Sequence, residues 1–146
     1  MAQQIETSPS GDSGSFQTGY RWLTALFAVL VIVQAFLGTR GYFAAPDLVT
    51  VHEMLANAMF LLAVGQAVLA WLLYRQNLLG MPALALNGVL VLLTIAQIGL
   101  GYSAAAGDNF GSLISLHVPN GVLMMGVSTV LAASAWLLDT QRRPLA

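Results

Sequence analysis

Apolar positions in this chain come in long runs, without the two-residue alternation of a strand or the narrow stripe of a surface helix. Charged residues mark where the runs end. There are 18 uncharged residues between Arg21 and Arg40 and 21 between Glu53 and Arg75. A further 32 separate Arg75 from Asp108, and 30 separate Asp108 from Asp139. A bilayer core of roughly 30 Å takes about 20 helical residues to cross. Lipid offers backbone groups no partner, so runs of this length fold as helices. The pattern predicts four of them, over about 20–39, 49–74, 82–103 and 113–138. Ala45-Pro46-Asp47, Gly80 with Pro82, and Gly107 to Gly111 supply the breaks. The expected fold class is all-α, a four-transmembrane-helix bundle at residues 20–139. Residues 1–19 are polar and rich in Ser and Gly, and are expected to be a disordered tail. Residues 140–146 are expected to be a short cytoplasmic tail. The start lacks the basic stretch of a secretory signal, and no small-residue cleavage site follows the first run. The first span is therefore expected to be retained.

Composition agrees with the pattern. Hydrophobic residues make up 58% of the 146 and charged residues 8%, against about 25% charged in a soluble domain. The net charge of −1 and the absence of a basic patch argue against a nucleic-acid partner. There is neither Cys nor Lys, which excludes disulfides, thiolate-held clusters and lysine Schiff bases. No glycine-rich phosphate loop or serine elbow is present. Arg21, Arg75, Arg142 and Arg143 fall on one side of the four spans and Arg40 on the other. Positive charge is retained on the cytoplasmic side. Both termini are thus expected in the cytoplasm, with loops 40–48 and 104–112 outside the plasma (inner) membrane.

The spans also repeat. Gln34-Ala-Phe-Leu37-Gly38 in the first matches Gln97-Ile-Gly-Leu100-Gly101 in the third. The second span runs from His52 to Trp71 and the fourth from His117 to Trp136, 19 positions in each case. The bundle reads as two repeated helical hairpins in parallel orientation. It has only two histidines, and both fall in register.

That register carries the chemistry. An ionisable residue within a membrane helix is costly and marks a functional site. His52 and His117 lie just inside the outer ends of helices running in the same direction, at one depth. Two imidazoles so placed can reach one metal from opposite sides, and imidazole is an axial ligand of haem iron. Small residues follow each histidine on one helix side. They are Ala56 and Gly121 at plus four, Ala63 and Ser128 at plus eleven, Ala67 and Ala132 at plus fifteen, and Ala70 and Ala135 at plus eighteen. Met59 and Met124 stand at plus seven. Such a stripe admits a flat macrocycle, and equally serves close helix packing. Gln34 and Gln97, at the same depth, are candidates for holding an imidazole's second nitrogen or a haem edge; an interhelical hydrogen bond is the other role open to them. Arg40 stands where haem propionates would emerge, or is a plain interfacial anchor. Pro119 is expected to free the Ser115 carbonyl and bend the fourth helix. Zinc wants three or four ligands, and only Asp47 and Glu53 are near. No chain of ionisable groups crosses the inner half for a proton relay.

These residues resemble one four-helix half of the haem A synthase family, in which each half carries a histidine on its second and fourth helices. The likeness covers roughly residues 20–138. It rests on Thr50-Val-His52, on Gln97-Ile-Gly-Leu-Gly101 with Leu113-Ile-Ser-Leu-His117, and on the 65 positions between the histidines. The resemblance implies that His52 and His117 are the axial ligands of one haem b. Val49 stands where the catalytic half of that family has an acidic residue, cysteines are lacking, and there is one bundle rather than two. These departures speak against haem O oxidation.

The expectation is a cytochrome b-like membrane protein with one haem b per chain and metal ligands His52 and His117. Gln34, Gln97, Arg40, Ala56 and Gly121 are the surrounding cofactor-site candidates. The role expected is electron transfer or haem handling, with a quinone or an outer-face redox partner, within a larger membrane complex or a homodimer. If it is an enzyme, it is an oxidoreductase component. The alternative is a cofactor-free structural subunit or assembly factor.

Overall fold

The computed structural model describes residues 11–107 and 109–142, with side chains described from 14 to 107 and from 109 to 137. It is all-helical. The elements are α1 (Gly11–Phe43), α2 (Asp47–Arg75), α3 (Met81–Ala106) and α4 (Phe110–Arg142). All four are long and apolar enough to cross a membrane. Neighbours in sequence pack side by side and α4 closes back on α1, so the helices form a four-membered ring. No Cα of α2 comes within 8 Å of one of α4, nor of α1 and α3, among the described residues. Two diagonals thus cross the bundle, and α2 and α4 face each other along one of them.

The burial pattern is that of a protein dissolved in lipid. Leu61, Leu92 and Val122 point outward and are about two-thirds exposed (70%, 67% and 66%), while Thr24, Gln66, Asn87, Thr94 and Ser128 are buried. Water would favour the reverse arrangement, whereas lipid makes an outward leucine cost nothing and an unpaired amide costly. The protein is therefore a multi-pass membrane protein. All three tryptophans gather at one end, that of Arg21 and Arg75. Trp22 meets Trp136 edge to face at 5.4 Å, Arg21 lies over Trp136 at 4.6 Å and Arg75 over Trp71 at 5.3 Å. Tryptophans and arginines so placed form an interfacial belt.

Helix ends differ from the sequence expectation for local reasons. α1 begins at Gly11, so residues 11–19, expected to be disordered, are helical. Pro9 is the last strong breaker before the span, and a helix already nucleated by its apolar turns extends at little cost. Residues 1–10 of the expected tail, and 143–146 of the C-terminal one, lie outside the described residues. α4 runs to Arg142, through Pro119. The α2–α3 break is made by Asn77 before Gly80 is reached. Asn77 has φ 57°, the Asn77 amide donates to the Tyr74 carbonyl, and the Leu78 amide donates to that of Leu73, both at 2.9 Å. This is the left-handed helix stop that asparagine tolerates. Leu78 then packs against the buried cluster that contains Leu73. Gly80 instead caps the start of α3, with Pro82 in the first turn, where its missing amide hydrogen has no cost.

The core has two parts. Phe27, Val31, Met59, Ala63, Leu90, Met124 and Leu131 form the central one. Tyr20, Ala70, Leu73, Leu79 and Ala135 form the one at the tryptophan end. Between them runs a buried polar chain that ties three helices. Gln66 Nε2 on α2 donates to Asn87 Oδ1 on α3 at 2.8 Å. Asn87 Nδ2 donates at 2.8 Å to the Tyr20 hydroxyl on α1 and, within its own helix, to the Ala83 carbonyl. Interhelical hydrogen bonds contribute only about 0.6 kcal/mol each in membranes on average. What they add is registry, because any axial slip would strand buried amides in hydrocarbon.

Candidate functional site

The two histidines meet. His52, on α2 one and a half turns from its N-terminus, and His117, two turns into α4, have ring centres 6.4 Å apart with planes tilted by 57°. Both are half-buried. They reach one another across the bundle diagonal, along which the backbones stay apart. Two imidazoles bound to opposite sides of one metal, with metal–nitrogen bonds of about 2.0–2.1 Å, have ring centres roughly 6 Å apart. The separation therefore admits a single shared ion, and it also lies within the range of about 4.5–7 Å of ordinary ring pairs.

The first ring is fixed by a reciprocal pair of bonds. His52 Nδ1 lies 3.1 Å from the backbone carbonyl of Gln34, and Gln34 Nε2 donates to the His52 carbonyl at 2.9 Å. A carbonyl accepts only from Nδ1–H, so Nδ1 carries a proton, and in the neutral ring Nε2 is then the nitrogen with the lone pair. Metal-binding histidines are oriented in the same way, by a carbonyl on the far nitrogen. Gln34 thus acts through its backbone as well as its amide.

Two glycines let the rings come so close to α1 and α3. A Cβ at Gly38 would lie 3.0 Å from His52 Cε1 and 3.2 Å from Nδ1. A Cβ at Gly101 would lie 3.3 Å from His117 Cε1. Each hairpin therefore seats its imidazole on the glycine four residues after its glutamine. Sequence reasoning quoted both glycines as part of the repeat and gave them no task. Their exact recurrence four positions after a glutamine was the available signal, since a helical glycine recurring opposite a bulky residue marks close approach.

The second hairpin departs from the first. The Gln97 carbonyl lies near enough to act on the His117 ring, but His117 Nδ1 is buried without a hydrogen bond. The Gln97 side chain is engaged elsewhere. Its Oε1 accepts from Asn120 Nδ2 at 2.6 Å, and Asn120 also donates to the Leu93 carbonyl at 2.9 Å. Asn120 was another residue the sequence did not single out. Gly121 faces Gln97, with its virtual Cβ 3.3 Å from Nε2. Ala56 is half-buried on α2.

The remaining candidates are placed as follows. Arg40 is exposed in the last turn of α1, one residue before the buried Gly41, and makes no ion pair among the described residues. Met59, Ala63, Ala70, Met124 and Ser128 are buried in the core below the rings, so much of the small-residue stripe serves close packing. Toward the same end of the bundle as the rings, Tyr42 of α1 stacks on Phe110 of α4 at 5.1 Å and 12°. No group of three or more His, Cys, Asp or Glu converges among the described residues. A bare ion would find two protein ligands here, whereas a metal carried in a macrocycle needs no more than two. Comparison with protein-family models, with curated proteins and with solved structures finds no match in any of the three.

Proposed function

We propose that this is a haem b-binding membrane protein of the cytochrome b kind, with one haem per chain between α2 and α4. His52 and His117 would be its axial ligands. The observation that carries the reading is the 6.4 Å separation of the two rings across a diagonal that the backbones leave open. The carbonyl on His52 Nδ1, which leaves Nε2 as the nitrogen a metal would use, supports it. Gln34 and Gln97 flank the diagonal where the macrocycle's edges would lie, and Arg40 stands at the mouth, within reach of propionates by position. Haem held in this way supplies one-electron exchange. The protein's share would be to hold the iron with His52 and His117 and to keep the His52 ring in one orientation through the Gln34 carbonyl. Two axial histidines suit electron transfer or haem handling better than oxygen chemistry. The partner would be a quinone or an outer-face redox protein, because one site in the outer half cannot carry electrons across the bilayer.

The reciprocal Gln34–His52 bonds would also lock helices in a cofactor-free subunit or assembly factor, and one spectrum separates the two readings. Full-length protein, purified in detergent from haem-replete cells, is expected to show a sharp low-spin Soret band. Split visible bands should appear on dithionite reduction, at one haem per chain. A flat spectrum from helical, monodisperse protein, still flat after hemin is added, would sink the haem reading and leave the structural one.

We also propose that the chain sits in the plasma membrane with both termini in the cytoplasm. The bias of Arg21, Arg75, Arg142 and Arg143 against Arg40 supports this. A fluorescent protein that matures only in the cytoplasm, fused after Ala146, should light up. A reporter active only outside the cell and fused at the same place should be silent; the opposite pattern would invert the topology.

A further inference from the structure

The two halves of the site are related by the repeat, yet they grip their histidines unequally. His52 has a carbonyl on Nδ1 at 3.1 Å and an amide on its own carbonyl at 2.9 Å. It is also wedged against Gly38 more tightly than His117 is against Gly101, 3.0 Å against 3.3 Å from the virtual Cβ to Cε1. His117 Nδ1 lies near the matching Gln97 carbonyl but outside hydrogen-bond geometry, a looser version of the His52 contact. The glutamine that would copy the first hairpin's clamp is held by Asn120 at 2.6 Å. The turn beneath His117 is weakened as well. Pro119 lacks the amide hydrogen that would bond to the Ser115 carbonyl, and that missing rung spans His117. The matching position of α2 is Met54, which keeps its amide.

We propose, resting on the haem reading above, that His52 is the permanent ligand and His117 the exchangeable one. The iron on the α4 side then admits a small neutral diatomic ligand of the carbon monoxide type. The exchange is a substitution. With a haem bound, the His117 nitrogen would give up the iron and the lone pair of the incoming ligand would take its place, with no electron or proton transferred. Imidazole orientation is what a hydrogen bond on the far nitrogen maintains, and losing such a partner typically weakens metal binding by about 10- to 100-fold. A difference of that order between the two rings decides which leaves. The resting protein would be low-spin with both rings bound, and it would open on one side only.

The test uses the full chain loaded with haem, with carbon monoxide as the probe. Reduced wild-type protein is expected to lose its low-spin bands under carbon monoxide and gain a sharp adduct Soret band. His117→Ala should give the same adduct spectrum and the same C–O stretching frequency, because His52 lies opposite the ligand in both. It should also bind at least about tenfold faster, having no ring to displace. A reduced wild-type protein that keeps its low-spin spectrum under saturating carbon monoxide would overturn the asymmetry while leaving the haem reading intact. A wild-type adduct matching that of His52→Ala rather than His117→Ala would reverse the assignment. A chain with no Soret band at all would remove both proposals, so the two failures are told apart before the gas is added.

Discussion

Replacing His52 by alanine is expected to strip the protein of haem, whereas replacing His117 is expected to leave haem bound, high-spin and loosely held. The rings look equivalent in sequence, 65 positions apart in matching helices, and a symmetric site would lose its cofactor equally through either. The structure gives them different support. His52 is pre-oriented by the Gln34 carbonyl and seated on Gly38, so its contribution to binding is not spent on ordering the ring. His117 is buried on Nδ1 without a bond and must be ordered when it binds. Removing the pre-oriented ligand should lower haem affinity by more than about 100-fold, beyond the 10- to 100-fold that loss of an orienting partner alone produces. Removing the other should cost roughly 10-fold, which leaves measurable occupancy in haem-replete cells. Haem-to-protein ratio by pyridine haemochrome assay, alongside circular dichroism, measures both variants. Equal occupancy in two equally helical variants would show that the ligands are equivalent.

Much of this architecture is legible in the sequence because membrane spans are a matter of length and charge. The four runs, the repeat and the pairing of His52 with His117 all follow from positions alone, and the fold places those rings 6.4 Å apart. Other features depended on tertiary neighbours that no spacing reveals. Asn77 ends α2 because a left-handed residue can pair the last carbonyls, while the louder signals, Gly80 and Pro82, begin α3. Gln66 and Asn87 belong to no motif in the sequence. They become one chain only because Tyr20, on a helix 67 positions away from Asn87, brings its hydroxyl to them. The two glutamines carry the same motif and do different things. Gln34 reaches the His52 carbonyl, and Gln97 is diverted by Asn120, whose repeat counterpart is Leu55. A repeat read from sequence predicts the scaffold. The divergence that creates function lies in residues the repeat does not match.

Gly38→Leu is expected to abolish haem binding while the bundle still assembles. A β-carbon at this position would stand 3.0 Å from His52 Cε1, 3.2 Å from Nδ1 and 3.5 Å from Nε2, so the ring meets it along a whole edge. The ring cannot slide away without breaking its bond to the Gln34 carbonyl, which holds it from the same helix. A leucine adds three further carbons, and overpacking a fitted contact costs typically 1–3 kcal/mol. The cheapest relief is to rotate His52 out of line with His117, which forfeits the ligand and spares the helices. Gly38→Ala asks the ring to give by only a few tenths of an ångström and should weaken haem binding about 5- to 10-fold, near 1 kcal/mol. Gly101→Ala, with 3.3 Å to His117 Cε1 and no bond to resist the shift, should cost less than about threefold. Gly65, which meets nothing within 4 Å, is the control for a general loss of helix flexibility, and Gly65→Leu should leave the spectrum unchanged. The ordering Gly38→Leu, Gly38→Ala, Gly101→Ala, Gly65→Leu, read from hemin titrations of the four detergent-solubilised proteins, tests the seat of the ring rather than the presence of a histidine. A site indifferent to Gly38→Leu would mean that haem, where it binds, does not use His52 in the position the fold gives it.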